Sequence, residues 1–359
     1  MVEISQGKFN RLEKLSDENG IIKAAAMDQR GSLFSRLSDE CDIPKDEVTN
    51  EMMEEFKEAV SEKLTPYASA ILLDPEWGRP GMDARADDTG LVVSYERSGS
   101  NRRYGDEYTY SLPAGTKQLM PDWTVRKTVE LGGDAVKLLI NYHPDEDERW
   151  LDQKKAVVER VGAECEHYDI PLFLEFLGYG VDGGDWKNDP ELAEDKPRVV
   201  TESIREFSKD KYNVDVLKVE IPVNMKFVRG TDAFQGEEVY DKEEALEHFR
   251  TAASAAELPM IYLSAGVDAP QMRESLRLAN EAGADWNGVL CGRATWQDGI
   301  AEYAEHGVDA LKDWLEDGGV DNITRMNKII DDGARSWYDA FGGRDNINVV
   351  GESKQTATV

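Results

Sequence analysis

Cysteine is scarce in this chain of 359 residues, with only Cys41, Cys165 and Cys291. The count is odd and no pair stands in a CxxC spacing, which speaks against a disulfide framework and a thiolate metal site. Histidine is nearly as rare. Of His143, His167, His248 and His306, just one follows a candidate strand, too few for a zinc centre with ligands on several strands, so no metal and no other cofactor is expected. No apolar run approaches the roughly 20 residues of a membrane span. The opening MVEISQGKFNRLEKLSDENG has no apolar core of signal-peptide type, so a cytoplasmic location is expected. Positive charge is the remaining shortage: 42 Lys and Arg stand against 72 Asp and Glu, a net charge of -30. Such a surface repels a phosphate backbone or an anionic membrane, which argues against nucleic-acid and membrane partners. The acids are spread along helical faces, as in DEDERW and DKEEALEHF, the pattern of a solvated surface and one suited to high salt.

What the chain does have is alternation. Eight short apolar runs read as strands: IIKAAAMD (21–28), ASAILLD (68–74), GLVVSY (90–95), AVKLLIN (135–141), PLFLEFL (171–177), VDVLKVE (214–220), MIYLSAG (260–266) and NGVLCGR (287–293). Between most of them the apolar spacing becomes helical, as at Val48, Met52, Phe56, Val60 and Leu64. An open doubly wound sheet would alternate similarly, but a count of eight favours an α/β fold of the (β/α)8 TIM-barrel type. An extra helix is expected over residues 1–18 and a closing helix over 322–341. Residues 1–345 are expected to form one barrel domain, and 346–359 a flexible tail. The polar segment 97–113 and the Gly-rich segment 178–190 fall where barrel loops belong, on the active-site face.

In such a barrel the reactive groups come from the C-terminal ends of the strands. Here nearly every strand ends at or near a polar group: Asp28, Asp74, Glu96, Lys137, Glu175, Lys218, Ser264 and Arg293. Period-two alternation puts Val216, Lys218 and Glu220 on one face, Lys137, Leu139 and Asn141 on a second, and Phe173, Glu175 and Leu177 on a third. If these faces point inward, two amines and a carboxylate meet. An amine in an apolar barrel beside a second cation is pushed toward its neutral form, and a neutral amine forms imines with carbonyl substrates. The bland alternative is a structural ion pair of Lys218 with Glu220 or Glu175. Two lysines on different strands with Glu175 between them make that the poorer account.

Arg293 follows Gly292 after the eighth strand and opens a helical pattern, and Ser264 and Gly266 close the seventh. Together they suit a substrate phosphate, because strands seven and eight carry that site recurrently. Asp28, Gln29 and Arg30 in MDQRG end the first strand, as substrate contacts or as a structural Asp–Arg pair. Asp74 is equally a site group or a turn acceptor before Pro75.

At these motifs the chain resembles the class I tagatose 1,6-bisphosphate aldolases, from about residue 10 to residue 340. The carrying stretches are KLSDENGIIKAAAMDQRGSL, YASAILLDPEWG, GGDAVKLLINY, IPLFLEFLGY, VDVLKVEIPVN, PMIYLSAGV and NGVLCGRATW. The resemblance implies a (β/α)8 barrel that cleaves a ketohexose bisphosphate to dihydroxyacetone phosphate and glyceraldehyde 3-phosphate without a metal. It implies that Lys218 forms the imine, Glu175 is the acid/base, and Lys137 and Asp28 are active-site partners. Ser264, Gly266, Gly292 and Arg293 look like its phosphate loops. The family's YEKTGYD reads YERSGSN here, running into the basic NRRYG, which leaves Arg97, Arg102 and Arg103 either as contacts for the distal end of the sugar or as ordinary surface-loop residues. Two other readings stay open: a Schiff-base aldolase for another phosphorylated or sulfonated ketose such as sulfofructose 1-phosphate, and a sugar-phosphate-binding regulator without turnover. The partner expected is thus a small sugar phosphate, and the sequence leaves a homo-oligomer open.

Overall fold

The computed structural model of the protein describes residues 1–97 and 118–351. Eight parallel strands close on themselves: β1 (Ile22–Met27), β2 (Ala70–Leu73), β3 (Gly90–Ser94), β4 (Ala135–Asn141), β5 (Leu172–Leu177), β6 (Val216–Val219), β7 (Met260–Tyr262) and β8 (Gly288–Cys291). All eight runs expected to be strands lie in the barrel; 135–141 is reproduced residue for residue and the others are shortened by one to four residues. Helices connect successive strands and sheath the barrel, among them Asn50–Leu64, Glu148–His167, Pro190–Phe207, Lys242–Ser254 and Ala269–Ala282. No helix among the described residues is long and apolar enough to cross a membrane.

Period-two alternation divides the strand residues into two layers. Ala24, Ala26, Ala70, Leu72, Val92, Ala135, Phe173, Val216, Ile261 and Leu290 fill the barrel interior. Their neighbours Ala25, Met27, Ile71, Leu73, Leu91 and Val93 turn outward against Phe56, Val60 and Leu64 of the first long helix. Alanine dominates β1 on its inner face, leaving room for longer side chains from the opposite wall. The helices start where the sequence supplies caps: Asp241 and Glu244 form a reciprocal capping box, and Asp268 accepts the backbone N–H of Gln271.

Both chain ends depart from expectation. The N-terminal helix is Gln6–Leu15, and before it Val2–Ser5 forms a strand. That strand pairs in parallel with Ile347–Val350, from Val2 opposite Ile347 to Ser5 opposite Val350. The expected flexible tail from 346 is therefore corrected for 347–350, which are strand; residues 352–359 lie outside the described residues. The cause is an apolar plug: Ile4, Phe9, Leu12, Leu15, Trp337 and Ile347 are buried in the same cluster as the barrel interior. Phe9 also packs on Trp337 with ring centroids 5.6 Å apart. The expected closing helix over 322–341 is Val320–Gly333 followed by a short 3-10 turn, Trp337–Phe341, which delivers Trp337 into the plug.

The seam between β8 and β1 depends on a glycine. Gly288 has φ +135° opposite Ile22, and a Cβ there would lie 1.9 Å from the Ile22 carbonyl oxygen. Gly288→Ala is expected to lower the unfolding free energy by about 3 kcal/mol or more. Chemical denaturation would check this; a midpoint matching the unsubstituted protein would contradict it.

Candidate active site

The C-terminal mouth of the barrel opens into a cavity of about 500 Å³. Asp28, Gln29, Arg30, Glu96, Arg97, Lys137, Glu175, Trp186, Lys187, Lys218, Glu220, Ser264, Gly292 and Arg293 are among its lining residues. Register explains the centre. Glu175 on β5 stands directly opposite Lys218 on β6, both inward-facing, and Lys137 on β4 sits opposite Phe173, two residues below Glu175.

The resulting contacts are short and buried. Lys218 Nζ donates to Glu175 Oε2 at 2.8 Å, and Lys137 Nζ lies 2.9 Å from the same oxygen. Lys137 also donates to Asp28 Oδ2 and to Glu96 Oε1, each at 2.8 Å. Two amines therefore share three carboxylates. This corrects the expectation of an amine set chiefly against a second cation, because Glu175 lies on both. Burial alone would raise the Asp28 and Glu175 carboxyls, but the adjacent lysines override it and hold both below their usual range. Burial alone would likewise lower Lys137, yet Asp28, Glu175 and Glu96 together hold it well above its ordinary value. Lys137 is a fixed cation in this setting.

Glu96 is the principal group that sequence reasoning left out of the site. It lies one residue past Tyr95, where the β3 pattern ends, so the sequence marks it only as a polar group at a strand end, with no role attached. Its Oε1 accepts from Lys137 and its Oε2 from the backbone N–H of Leu139. Arg30, expected as a substrate contact, is instead turned to protein acceptors: the Glu96 carbonyl at 2.6 Å and Glu76 Oε2 at 3.1 Å. It lines the cavity but acts on Glu96. Asp74 is fully buried, pairs with Lys57 at 2.6 Å and accepts the backbone N–H groups of Glu76 and Trp77, so it is a turn acceptor. Lys57 also donates to the carbonyls of Met27 and Gln29, pinning the loop that carries Asp28. Gln29 Oε1 is buried without a hydrogen-bond partner, an acceptor left free at the cavity wall.

The four expected phosphate residues converge. Gly266 has φ +85°, and a Cβ on it would fall 2.4 Å from Arg293 Cζ, so the guanidinium lies on the bare glycine. Ser264 and Gly292 flank it along the cavity wall. A further cation, Lys187, comes from the Gly-rich loop after β5, where only its turn residues had stood out. Its ammonium donates to the Ala265 carbonyl and is held below its usual value, first by burial and then by Arg293. Arg293 is held down in the same way, by burial and then by Arg36. Acids act on both cations only from a distance, Glu220 and Asp185 on Lys187 and Asp28 and Glu175 on Arg293, and among the described residues neither cation makes an ion pair, which suits the pair to an anion. Of the two ion pairs that a structural role for Lys218 would make, the one with Glu175 is present, at 2.8 Å, and the one with Glu220 is not: Glu220 accepts from Gly178 N–H at 2.7 Å and from Trp186 Nε1 at 3.3 Å, shaping that loop. Arg97 lines the cavity, while Arg102 and Arg103 lie outside the described residues.

Among the described residues one group has metal-ligand spacing: His143, Asp145 and Asp195. Arg198 bridges both of its acids, at 2.5 Å and 2.8 Å, and none of the three lines the cavity.

A closed (β/α)8 barrel whose mouth gathers two buried lysines, three carboxylates and a cluster of cations is a site equipped for amine chemistry on a carbonyl compound that carries an anionic group. The chain belongs to the DeoC/LacD family of aldolases, whose model matches residues 22–298. Its relatives include the tagatose 1,6-diphosphate aldolase of Listeria monocytogenes serotype 4a, 44% identical over 350 residues, 98% of this chain and 99% of that protein. The protein of the same description from Staphylococcus haemolyticus is 46% identical over 333 residues, 93% of this chain and 98% of that one. Two solved structures share the fold at 13% identity. The fructose-bisphosphate aldolase of Plasmodium falciparum superposes with TM-score 0.60 over 88% of this chain and 93% of its own. A Schiff-base-forming fructose-1,6-bisphosphate aldolase does so with TM-score 0.50 over 86% and 98%.

Because the Asp28 carboxyl is depressed, its ion pair stabilises the fold fully above about pH 4 and is lost as pH falls through the folded value. Asp28→Asn is expected to flatten the acid limb of the stability profile below about pH 4. Urea midpoints for both proteins across that limb would show it, and parallel curves would contradict it.

Proposed function

We propose that this protein is a class I aldolase that cleaves a ketohexose 1,6-bisphosphate, tagatose 1,6-bisphosphate and with it fructose 1,6-bisphosphate, through an imine on Lys218. The observation that carries the reading is the pair formed by Lys218 Nζ and Glu175 Oε2, 2.8 Å apart at opposed register positions of neighbouring strands. A lysine nucleophile must shed a proton, and the acceptor is already in contact. The close, near full-length relatives described as tagatose 1,6-diphosphate aldolases support the choice of substrate.

The reaction then follows from the groups at the mouth. Lys218 adds through its nitrogen to the C2 carbonyl, and water leaves to give a protonated imine. Glu175 or a neighbouring carboxylate takes the proton of the C4 hydroxyl. The C3–C4 bond breaks, its electron pair passes to the imine nitrogen, and glyceraldehyde 3-phosphate departs. The enamine is protonated at C3, and hydrolysis of the imine releases dihydroxyacetone phosphate and restores Lys218. Lys137, fixed as a cation by three carboxylates, stabilises oxygen charge that develops in these steps, and Asp28 orients it. One phosphate sits at Ser264, Gly266, Gly292 and Arg293, with Lys187 beside it. Arg97 stands toward the other end.

Lys218→Met is expected to abolish cleavage in a coupled assay, and Glu175→Gln to lower kcat by roughly 10²- to 10⁴-fold. Retained turnover in Lys218→Met would refute the imine. Arg293→Ala is expected to raise KM for the bisphosphate far more than it lowers kcat, since it removes a remote binding contact. An unchanged KM would move the phosphate elsewhere.

A further inference from the structure

A second cavity, of about 600 Å³, lies on the outer wall of the barrel between helix Ala269–Ala282, helix Val320–Gly333 and the loop after β6. It shares no lining residue with the barrel mouth. Four cations line it: Arg273 and Arg277, one turn apart on the first helix, and Arg325 and Lys328 on the second. In a chain with 30 more acids than bases, such a gathering is unusual.

The acids nearby are already committed. Glu274 uses both carboxylate oxygens on the backbone N–H groups of Asp232 and Ala233, at 2.5 Å and 3.0 Å. Asp268 caps its helix through Gln271 N–H at 2.8 Å. Asp321 pairs with Arg325 at 2.8 Å. The remaining acid of the lining, Asp232, is exposed and ion-pairs with none of the four. Among the described residues Arg273, Arg277 and Lys328 make no ion pair; Arg273 only reaches Asn322 Oδ1 at 3.4 Å. Arg273 is held below its usual value by burial, then by Arg325 and Arg277, with Asp321 and Asp268 opposing the shift without cancelling it.

Like charges held together in a half-sheltered cavity repel unless an anion enters, and guanidinium groups match phosphate oxygens in pairs. The volume suits a ligand larger than bare phosphate, and the half-buried Phe234 adds an apolar wall for its organic part. We propose that this cavity is a second ligand site that binds a phosphorylated small molecule, with Arg273, Arg277 and Lys328 as its phosphate contacts. The site stands independently of the reaction at the barrel mouth.

Calorimetric titration of the full chain carrying Arg293→Ala, which weakens the anion seat of the mouth, provides the test. Pyrophosphate, ATP and glucose 6-phosphate serve as separate probes. At least one is expected to bind, and adding Arg277→Ala and Lys328→Ala is expected to weaken that binding roughly tenfold or more. Both of these side chains are exposed, so the added substitutions leave the fold intact. Binding of ATP alone identifies a nucleotide, of glucose 6-phosphate alone a sugar phosphate, and of all three the phosphate groups themselves. Failure of every probe to bind, or binding that the added pair leaves unchanged, overturns the proposal.

Discussion

One oxygen atom organises the barrel mouth. Glu175 Oε2 accepts from Lys218 on one side and lies against Lys137 on the other, 2.8 Å and 2.9 Å away. Neither lysine could be buried at this depth alone, since desolvating an unpaired ammonium costs several kcal/mol. Sharing the carboxylate lets both stay, and it divides their roles. Lys137 is surrounded by Asp28, Glu96 and Glu175 and is locked as a cation. Among the described residues Lys218 has Glu175 as its one ion-pair partner, so a single proton transfer frees its nitrogen.

The rest of the fold serves that arrangement. Small residues on β1, Ala24 and Ala26, leave space across the barrel from β4, β5 and β6. The buried Lys57–Asp74 pair pins the Met27–Gln29 carbonyls and so places Asp28, while Arg30 grips the backbone of Glu96. These outer groups act on the amines indirectly, through the backbone that carries Asp28 and Glu96. At the opposite end, the aromatic plug around Trp337 and the paired terminal strands close the barrel floor. The reactive groups therefore open to solvent on one side only.

Much of this was legible in the sequence because barrels encode it locally. Each strand is a contiguous apolar run, and period-two alternation grouped Lys137, Glu175 and Lys218 with defined faces of their strands; that these faces point inward is given by the barrel itself. Glu96 escaped because it follows the strand proper, where alternation no longer constrains direction. Its inward turn comes from the Leu139 N–H and from Arg30, contacts 43 and 66 residues away along the chain. Lys187 escaped for a similar reason: a lysine in a glycine-rich loop carries no periodic signal, and its approach to Arg293 depends on how the loop folds over β7. For Arg30 the sequence left both readings open, because charge type alone does not distinguish a guanidinium aimed at substrate from one spent on a neighbour. The strand at 347–350 was hidden by the glycine- and asparagine-rich residues before it, although its β-branched INVV signalled a partner.

The account turns on Lys218, rather than Lys137, being the amine that joins the ketone. Reduction with borohydride in the presence of dihydroxyacetone phosphate, followed by peptide mass spectrometry, tests this most directly. A single adduct on the peptide carrying Lys218, with Lys137 unmodified, is the expected result; an adduct on Lys137, or none, would contradict it.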